Sequence, residues 1–247
     1  MPNDSRQIPT THIGSLPRPP ELLDLLKRRQ DGEQVDEQEW AETVREATET
    51  VVRRQVDAGI DIANGGEQPR VSFNWYVKNR LSGIEGTETT ALWADLQDYP
   101  EYADETFTTD VLDLSEHPVV TGPLEYTGRE EAETELAVFE DALDATGATF
   151  DDTFVTSASP SVVTATHVDE HYGDYEEYLF AAADAMQTEY GLLAEAGYTL
   201  QIDAPELLTV GQTDAYADAS LEEIKQASRL HVEALNGALE NVPAEQV

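Results

Sequence analysis

Residues 58–64, AGIDIAN, decide the fold, because a helical pattern ends there and a strand pattern begins. Over about residues 39–58 the apolar side chains recur at the spacing of one helix face. Gly59 suits a left-handed C-cap, and the short run IDIAN suits a buried strand. The same order recurs at Gly147, before TFDDTFVTS, and at Gly197, before TLQID. This alternation predicts an α/β protein with a parallel sheet.

An opening strand near residues 8–15 and another at 118–124 raise the predicted strands to five. No GxGxxG or GxxxxGK[ST] motif occurs, so a TIM-type (β/α)8 barrel is favoured over a doubly wound nucleotide-binding sheet. A barrel needs eight βα units, so we expect one incomplete barrel domain over residues 1–247, with about five of the eight. A helix at about 220–239 and then NVPAEQV predict the lead-in to a sixth strand.

A long insertion is expected between the second and third predicted strands, at about residues 68–117. It is rich in acids and in aromatic residues. Loops of this length at the carboxyl ends of barrel strands often cover an active site. A lid role and a plain packing role are both open.

The charge of the chain is strongly negative, at −37, with 14 basic and 51 acidic residues. Such a surface repels polyanions, so nucleic acid is excluded as a partner. Acidic excess with only three lysines indicates a halophilic protein of a salt-rich cytoplasm, where salt screens self-repulsion.

The chain has no cysteine, so it forms no disulfide and supplies no thiolate. No basic start precedes an apolar run, and no stretch approaches 18 apolar residues. We therefore expect a cytoplasmic protein without a membrane partner.

Polar residues stand at three predicted strand ends, where barrel enzymes place their functional groups. The first strand end gives His12, Gly14 and Ser15, the second gives Glu67, and the last gives Asp203. A carboxylate can bind an ammonium group, and a hydroxyl with nearby amides can bind a carboxylate. Together these groups predict a small amino acid ligand.

His167 and His171 stand four residues apart, as two zinc ligands on a helix would. The residues between them do not complete an HExxH motif, so a surface pair in a loop or at a helix start is the favoured interpretation.

Four motifs give a resemblance to a known family: TTHIGSLPRP at 10–19, IDIANGGEQPRVSF at 60–73, VVTGP at 119–123 and AGYTLQIDAPEL at 196–207. In order and spacing they resemble the cobalamin-independent methionine synthase family, in particular its C-terminal catalytic barrel. Uroporphyrinogen decarboxylase and the epoxyalkane coenzyme M transferases share the superfamily.

The resemblance implies a cytoplasmic methyltransferase that moves a methyl group to homocysteine, whose thiol is bound to zinc. It implies methyl-folate or methylcobalamin as donor, Ser15 as a contact of the homocysteine carboxylate, and Glu67 and Asp203 as contacts of its ammonium group. The family's zinc ligands are expected after Val247, so no metal ligand is expected within the chain.

Two departures leave the thiol open: GGE stands where the family usually has HGE, and Ala204 replaces the acid of DEP. Three alternatives remain. The first is another thiol alkyltransferase. The second is a decarboxylase that grips carboxylates through Arg18, Arg70 and Arg80. The third is a non-catalytic partial barrel that binds a ligand or self-associates through an open edge.

Overall fold

The computed structural model describes residues 8–89, 99–102, 116–210 and 219–247. Its helices are α1 (Pro20–Gln30), α2 (Glu37–Ala58), α3 (Val77–Arg80), α4 (Arg129–Thr146), α5 (Pro160–Thr166), α6 (Tyr175–Glu195), α7 (Glu206–Thr209) and α8 (Leu221–Ala238). Its strands are β1 (Ile62–Ala63), β2 (Ile84–Thr89), β3 (Glu116–Val120), β4 (Asp152–Ala158), β5 (Val168–Asp169) and β6 (Thr199–Asp203).

The first sheet is parallel and has the order β1-β4-β6. One parallel bridge, between Thr11 and Ile62, extends it toward the N-terminus. Helices α2, α4 and α6 lie between its successive members along the chain, and α8 follows the last. The described residues therefore form four consecutive βα units with their carboxyl ends at one edge.

The second sheet has the order β2-β3-β5 and holds the predicted strand at 118–124. This strand is β3, which pairs antiparallel with β2 and parallel with the two residues of β5. The prediction that it belongs to the parallel barrel sheet is wrong, because β1 pairs directly with β4 and leaves no place between them. Among the predicted insertion residues, 90–98 and 103–115 lie outside the described parts, so the lid role stays a prediction.

The opening strand of the predicted series is shorter than expected. The opening segment at 8–15 pairs only through the bridge at Thr11, and beside it the Asp61 carboxylate accepts the Thr10 amide at 2.7 Å and its hydroxyl at 2.8 Å. At the other end, the segment predicted to lead into a sixth strand forms a 3₁₀ turn at Ala244–Gln246.

Glycines end the helices where the sequence predicts. Gly59 and Gly147 are the left-handed C-caps of α2 and α4, with φ of 71° and 61°. Gly197 has φ of 88° just after α6. At the start of α8, Ser220 and Glu223 form a capping box, which satisfies two backbone amides.

One apolar cluster joins the sheets to α4, α6 and α8, and includes Leu136, Leu193, Leu200 and Ala234. Burial of each leucine contributes about 2 kcal/mol and fixes the helices against the strands. Among the described helices, none is long and apolar enough to cross a membrane.

Candidate functional site

Ser15 and Glu67 meet at the carboxyl edge of the parallel sheet, although 52 residues separate them. The Ser15 hydroxyl donates a hydrogen bond to Oε2 of Glu67. Gly14 lies beside this pair, and a Cβ atom at its position would stand 3.0 Å from Oε1 of Glu67. A side chain at position 14 would therefore crowd the carboxylate, so glycine there keeps the approach open.

Glu67 is held in a strained backbone conformation, with φ of 51°, and is only 5% exposed. Among the described residues it is the only one other than glycine with positive φ. Such strain persists only where surrounding contacts impose it, and it is concentrated at functional sites. Here Arg18 donates to the Glu67 carbonyl at 2.6 Å, and the Thr156 hydroxyl donates to Oε1 at 2.6 Å.

Asp203 is the last residue of β6 and lies at the same edge. The Gln201 amide donates to Asp203 Oδ1 at 2.8 Å and to the Ile13 carbonyl at 2.6 Å, which links the last strand to the first strand end. Burial raises the pKa of Asp203, the Gln201 hydrogen bond lowers it, and the nearby charge of Glu67 raises it again. The structure thus brings Ser15, Glu67 and Asp203 to one face.

His12 is half-buried beside this face, where its carbonyl accepts the Asn64 amide at 3.5 Å. The contact comes from its backbone, so a ligand-binding role for the His12 ring stays a prediction. The Asn64 side chain also accepts the Gly66 amide at 2.7 Å and shapes the turn that carries Glu67.

Behind Glu67 lies a buried network of charges that the sequence interpretation missed. Arg70 pairs with Glu135 at 2.9 Å, and Arg80 contacts both Glu135 and, at 3.1 Å, Glu189. Burial would raise the pKa of Glu189, but Arg80 and Arg70 lower it below its ordinary value. These carboxylates are therefore ionised counterions of the two arginines.

A pattern in the sequence could have revealed this network. Glu189 stands on the apolar stripe of α6, four residues after Ala185 and four before Leu193, and is 0% exposed. An acid on a buried stripe requires a buried cation or donor. Tyr76 and Ser157 supply donors, each 2.7 Å from Glu189 Oε1.

The network also removes the arginines that a decarboxylase would need. Arg70 and Arg80 are 4% and 2% exposed and already paired with carboxylates. Arg18 donates to the backbone carbonyls of Glu67, Gln68 and Arg70. The decarboxylase alternative thus loses the carboxylate-gripping groups on which it depends.

A cleft that Glu67 helps to line lies between α2, α4 and the sheet. Its walls include Arg70, Glu135, Phe139 and Thr156. Ser15 and Asp203 do not line it. We therefore place the candidate ligand face at the strand ends rather than in this cleft.

His167 and His171 do not form the predicted surface pair. His171 is exposed, but His167 is 3% exposed at the end of α5. The cause is local: Nδ1 of His167 lies 3.0 Å from the Val163 carbonyl, and Tyr178 donates to the His167 carbonyl, so the ring packs inward.

The described ranges also contain no group of three or more His, Asp or Glu side chains placed to hold a metal ion. The chain has no cysteine to add. The residues described thus do not fit the zinc site that the resemblance implies, and no chemical step is assigned to zinc here.

These features define an α/β protein whose partial parallel barrel gathers one hydroxyl and two carboxylates at its strand ends. Residues 8–106 match the family described as "Cobalamin-independent synthase, Catalytic domain". The resemblance to the cobalamin-independent methionine synthase family is therefore confirmed. Methylcobalamin, expected above as an alternative donor, is at odds with a cobalamin-independent family.

Curated relatives agree with this match. The methionine synthase of Thermococcus kodakarensis is 27% identical over 202 residues, covering 81% of this chain and 53% of the relative. That of Sulfolobus acidocaldarius is 24% identical over 225 residues, covering 90% and 59%. The 5-methyltetrahydropteroyltriglutamate–homocysteine methyltransferase of Bacillus cytotoxicus is 35% identical over 81 residues, covering 33% and 10%. The chain thus spans little more than half the length of the archaeal relatives.

Solved structures confirm the fold. A B12-independent methionine synthase from Shewanella sp. W3-18-1, in complex with selenomethionine, superposes with a TM-score of 0.65 at 20% identity, over 95% of this chain and 58% of that one. A putative vitamin-B12 independent methionine synthase from Listeria monocytogenes gives 0.67 at 19% identity, over 98% and 64%. The fold class is a partial TIM-type barrel, as predicted.

Proposed function

We propose that this chain holds the amino acid part of a thiol substrate, homocysteine, in a methyltransferase similar to cobalamin-independent methionine synthase. The observation that carries the proposal is the contact between Ser15 and Glu67, with Asp203 at the same edge. A hydroxyl and two carboxylates suit the two charged ends of an amino acid.

The assigned roles follow the charges. Ser15 donates to the substrate carboxylate, while Glu67 and Asp203 accept from its ammonium group. Glu67 is buried, and Arg18 and Thr156 hold its carbonyl and Oε1, so when the Ser15 hydroxyl turns from Oε2 to the substrate carboxylate, Oε2 is released for the ammonium group. The relatives' names support methyl-folate as the methyl donor.

The test is calorimetric titration of the 247-residue chain with L-homocysteine and L-methionine in high salt. Ser15→Ala, Glu67→Gln and Asp203→Asn should each weaken binding by about tenfold or more, because each removes a hydrogen bond to a charged group. Asp141→Asn, an exposed change on α4, is the matched control and should leave binding unchanged. Wild-type affinity in all three site variants would contradict the proposal.

A non-catalytic binding role is the second candidate, because the described residues lack a fit for zinc. Incubation with methyl-folate, zinc and homocysteine, followed by detection of methionine, separates the two. Methionine formation supports the methyltransferase. Binding without methionine formation supports the binding role.

A further inference from the structure

Arg70 lies between two carboxylates but donates a direct hydrogen bond to only one of them, Glu135, while Glu67 stays within ion-pair distance. Its Nε atom is 2.9 Å from Glu135, whereas its Nη1 atom is 3.9 Å from Oε1 of Glu67. Thr156 occupies the position between Arg70 and Glu67: its hydroxyl oxygen is 3.0 Å from Arg70 Nη1 and 2.6 Å from Glu67 Oε1.

The chemistry of the neighbours fixes the direction of both hydrogen bonds. A guanidinium only donates, so the Thr156 oxygen accepts from Arg70. An ionised carboxylate only accepts, so the Thr156 proton points at Glu67. The hydroxyl therefore satisfies both charged groups while it keeps them apart.

Without this hydroxyl, a direct pair between Arg70 and Glu67 would be favoured. All three side chains are at most 5% exposed, and in such surroundings an arginine and a carboxylate attract strongly. Arg18 holds the Arg70 backbone through its carbonyl, and the Arg70 guanidinium lies 4.2 Å from the centre of the Tyr76 ring, so a small rotation of the two side-chain ends would bring Arg70 and Glu67 into hydrogen-bond contact.

We propose that Thr156 is a specificity-determining positioning residue, which keeps Arg70 from forming a direct hydrogen-bonded pair with Glu67 and so leaves that carboxylate able to bind a substrate ammonium group. Arg70 is instead held by Glu135, by the Thr156 carbonyl at 3.0 Å and by the Tyr76 ring. This inference rests on the proposed role of Glu67. It adds that selectivity for amino acids over acids without an amino group depends on a residue that does not touch the ligand.

The experiment compares two ligands that differ only in the amino group, L-methionine and 4-(methylsulfanyl)butanoate, by calorimetry on the 247-residue chain. Thr156→Ala should weaken methionine binding by about tenfold and change binding of the deaminated acid by less than about twofold, since only the ammonium contact is affected. Thr156→Ser keeps the hydroxyl and should keep the wild-type ratio of the two affinities. An unchanged ratio in Thr156→Ala would overturn the proposal, and so would a Thr156→Ser protein that behaves like the alanine variant.

A second variant and a structural measurement keep the outcome clear. Glu135→Gln leaves Thr156 in place but removes a charge that holds Arg70, so it should lower the ratio of the affinity for methionine to the affinity for the deaminated acid.

If the wild-type chain bound neither ligand, the proposed function would fail. The separation of Arg70 from Glu67 would then be measured in a crystal structure of the Thr156→Ala protein. There the distance from Arg70 Nη1 to Glu67 Oε1 should shorten from 3.9 Å to hydrogen-bonding range. A distance that stays at its wild-type value would overturn the inference independently.

Discussion

His167 is a neutral histidine in the apolar interior. Burial lowers its pKa to about 4, although the hydrogen bond to the Val163 carbonyl opposes this shift. Because that carbonyl can only accept, Nδ1 carries the proton, and Nε2 is a buried acceptor without a hydrogen-bond partner among the described residues.

This histidine should make the protein less stable in mild acid. The unfolded chain takes up a proton near pH 6.5, whereas the folded chain resists it until about pH 4, so the free energy of unfolding falls as pH falls between these values. The His167 contribution between pH 7 and pH 5 is about 2 kcal/mol, at about 1.4 kcal/mol per pH unit.

Urea unfolding of wild type and His167→Asn at both pH values measures this effect. The difference in the free energy of unfolding between the two proteins should change by about 2 kcal/mol from pH 7 to pH 5, because asparagine does not titrate. His171→Asn is the matched control, since His171 is exposed, and should follow the wild type. A constant difference between wild type and His167→Asn would show that His167 is not responsible.

The positions of the strand-end residues were predictable, because the order of strands along the chain determines which residues meet at the carboxyl edge of the sheet. Ser15, Glu67 and Asp203 stand directly after predicted strands, and parallel strands bring their carboxyl ends together. Thr156 and Arg70 were not predictable in the same way. Thr156 shares one face of β4 with the core residues Phe154 and Ala158, and only its contact with Glu67 in the folded chain shows its importance.

At the level of elements, helices followed by glycine were predicted well, and strand membership was not. A helix and its C-cap are encoded within a few residues, as at Gly59 and Gly147. Strand pairing depends on distant partners. The VVTGP segment has a strand pattern in either sheet, and its place in the second sheet is decided by the pairing of β3 with β2.

The contact between α3 and the start of α4 depends on a glycine. Gly128 precedes α4, and a Cβ atom there would lie 2.4 Å from Cγ and 2.7 Å from Cα of Arg80. Such overlap displaces the backbone that carries Arg80, and with it the ion pair to Glu189. Close packing at this point therefore supports the buried charge network.

Gly128→Ala should lower the free energy of unfolding by about 1–3 kcal/mol through overpacking. Gly191→Ala is the matched control: position 191 lies inside α6, and its Cβ would meet nothing within 4 Å. Alanine there should raise stability by about 0.5–1 kcal/mol, because it favours the helix. Chemical unfolding measures the free energy of unfolding of both variants. Equal changes at the two positions would contradict the close approach of Gly128 to Arg80.

The described parts of the molecule combine paired charges in the interior with an excess of acidic charge on the surface. In the described parts, the buried Arg70 and Arg80 have carboxylate partners, so the excess of 51 acidic over 14 basic residues acts mainly outside the core. Surface ion pairs such as Arg129 with Glu133 add little, since each is solvated. Self-repulsion among surface carboxylates therefore opposes folding wherever salt does not screen it.

We expect the fold to depend on ionic strength. The Debye length is about 10 Å at 0.1 M salt and about 3 Å at 1 M, so repulsion between neighbouring carboxylates is strong in dilute buffer and weak in concentrated salt. Circular dichroism during stepwise desalting should show loss of helix, and returning potassium chloride should restore it.

Sucrose at matched osmolality is the control, because it favours compact states without screening charge. If sucrose restored the helix as well as the salt does, exclusion of the solute from the protein surface, rather than screening of charge, would explain the effect. A spectrum that stayed constant through desalting would mean that packing of the helices on the sheet outweighs the repulsion of a −37 charge.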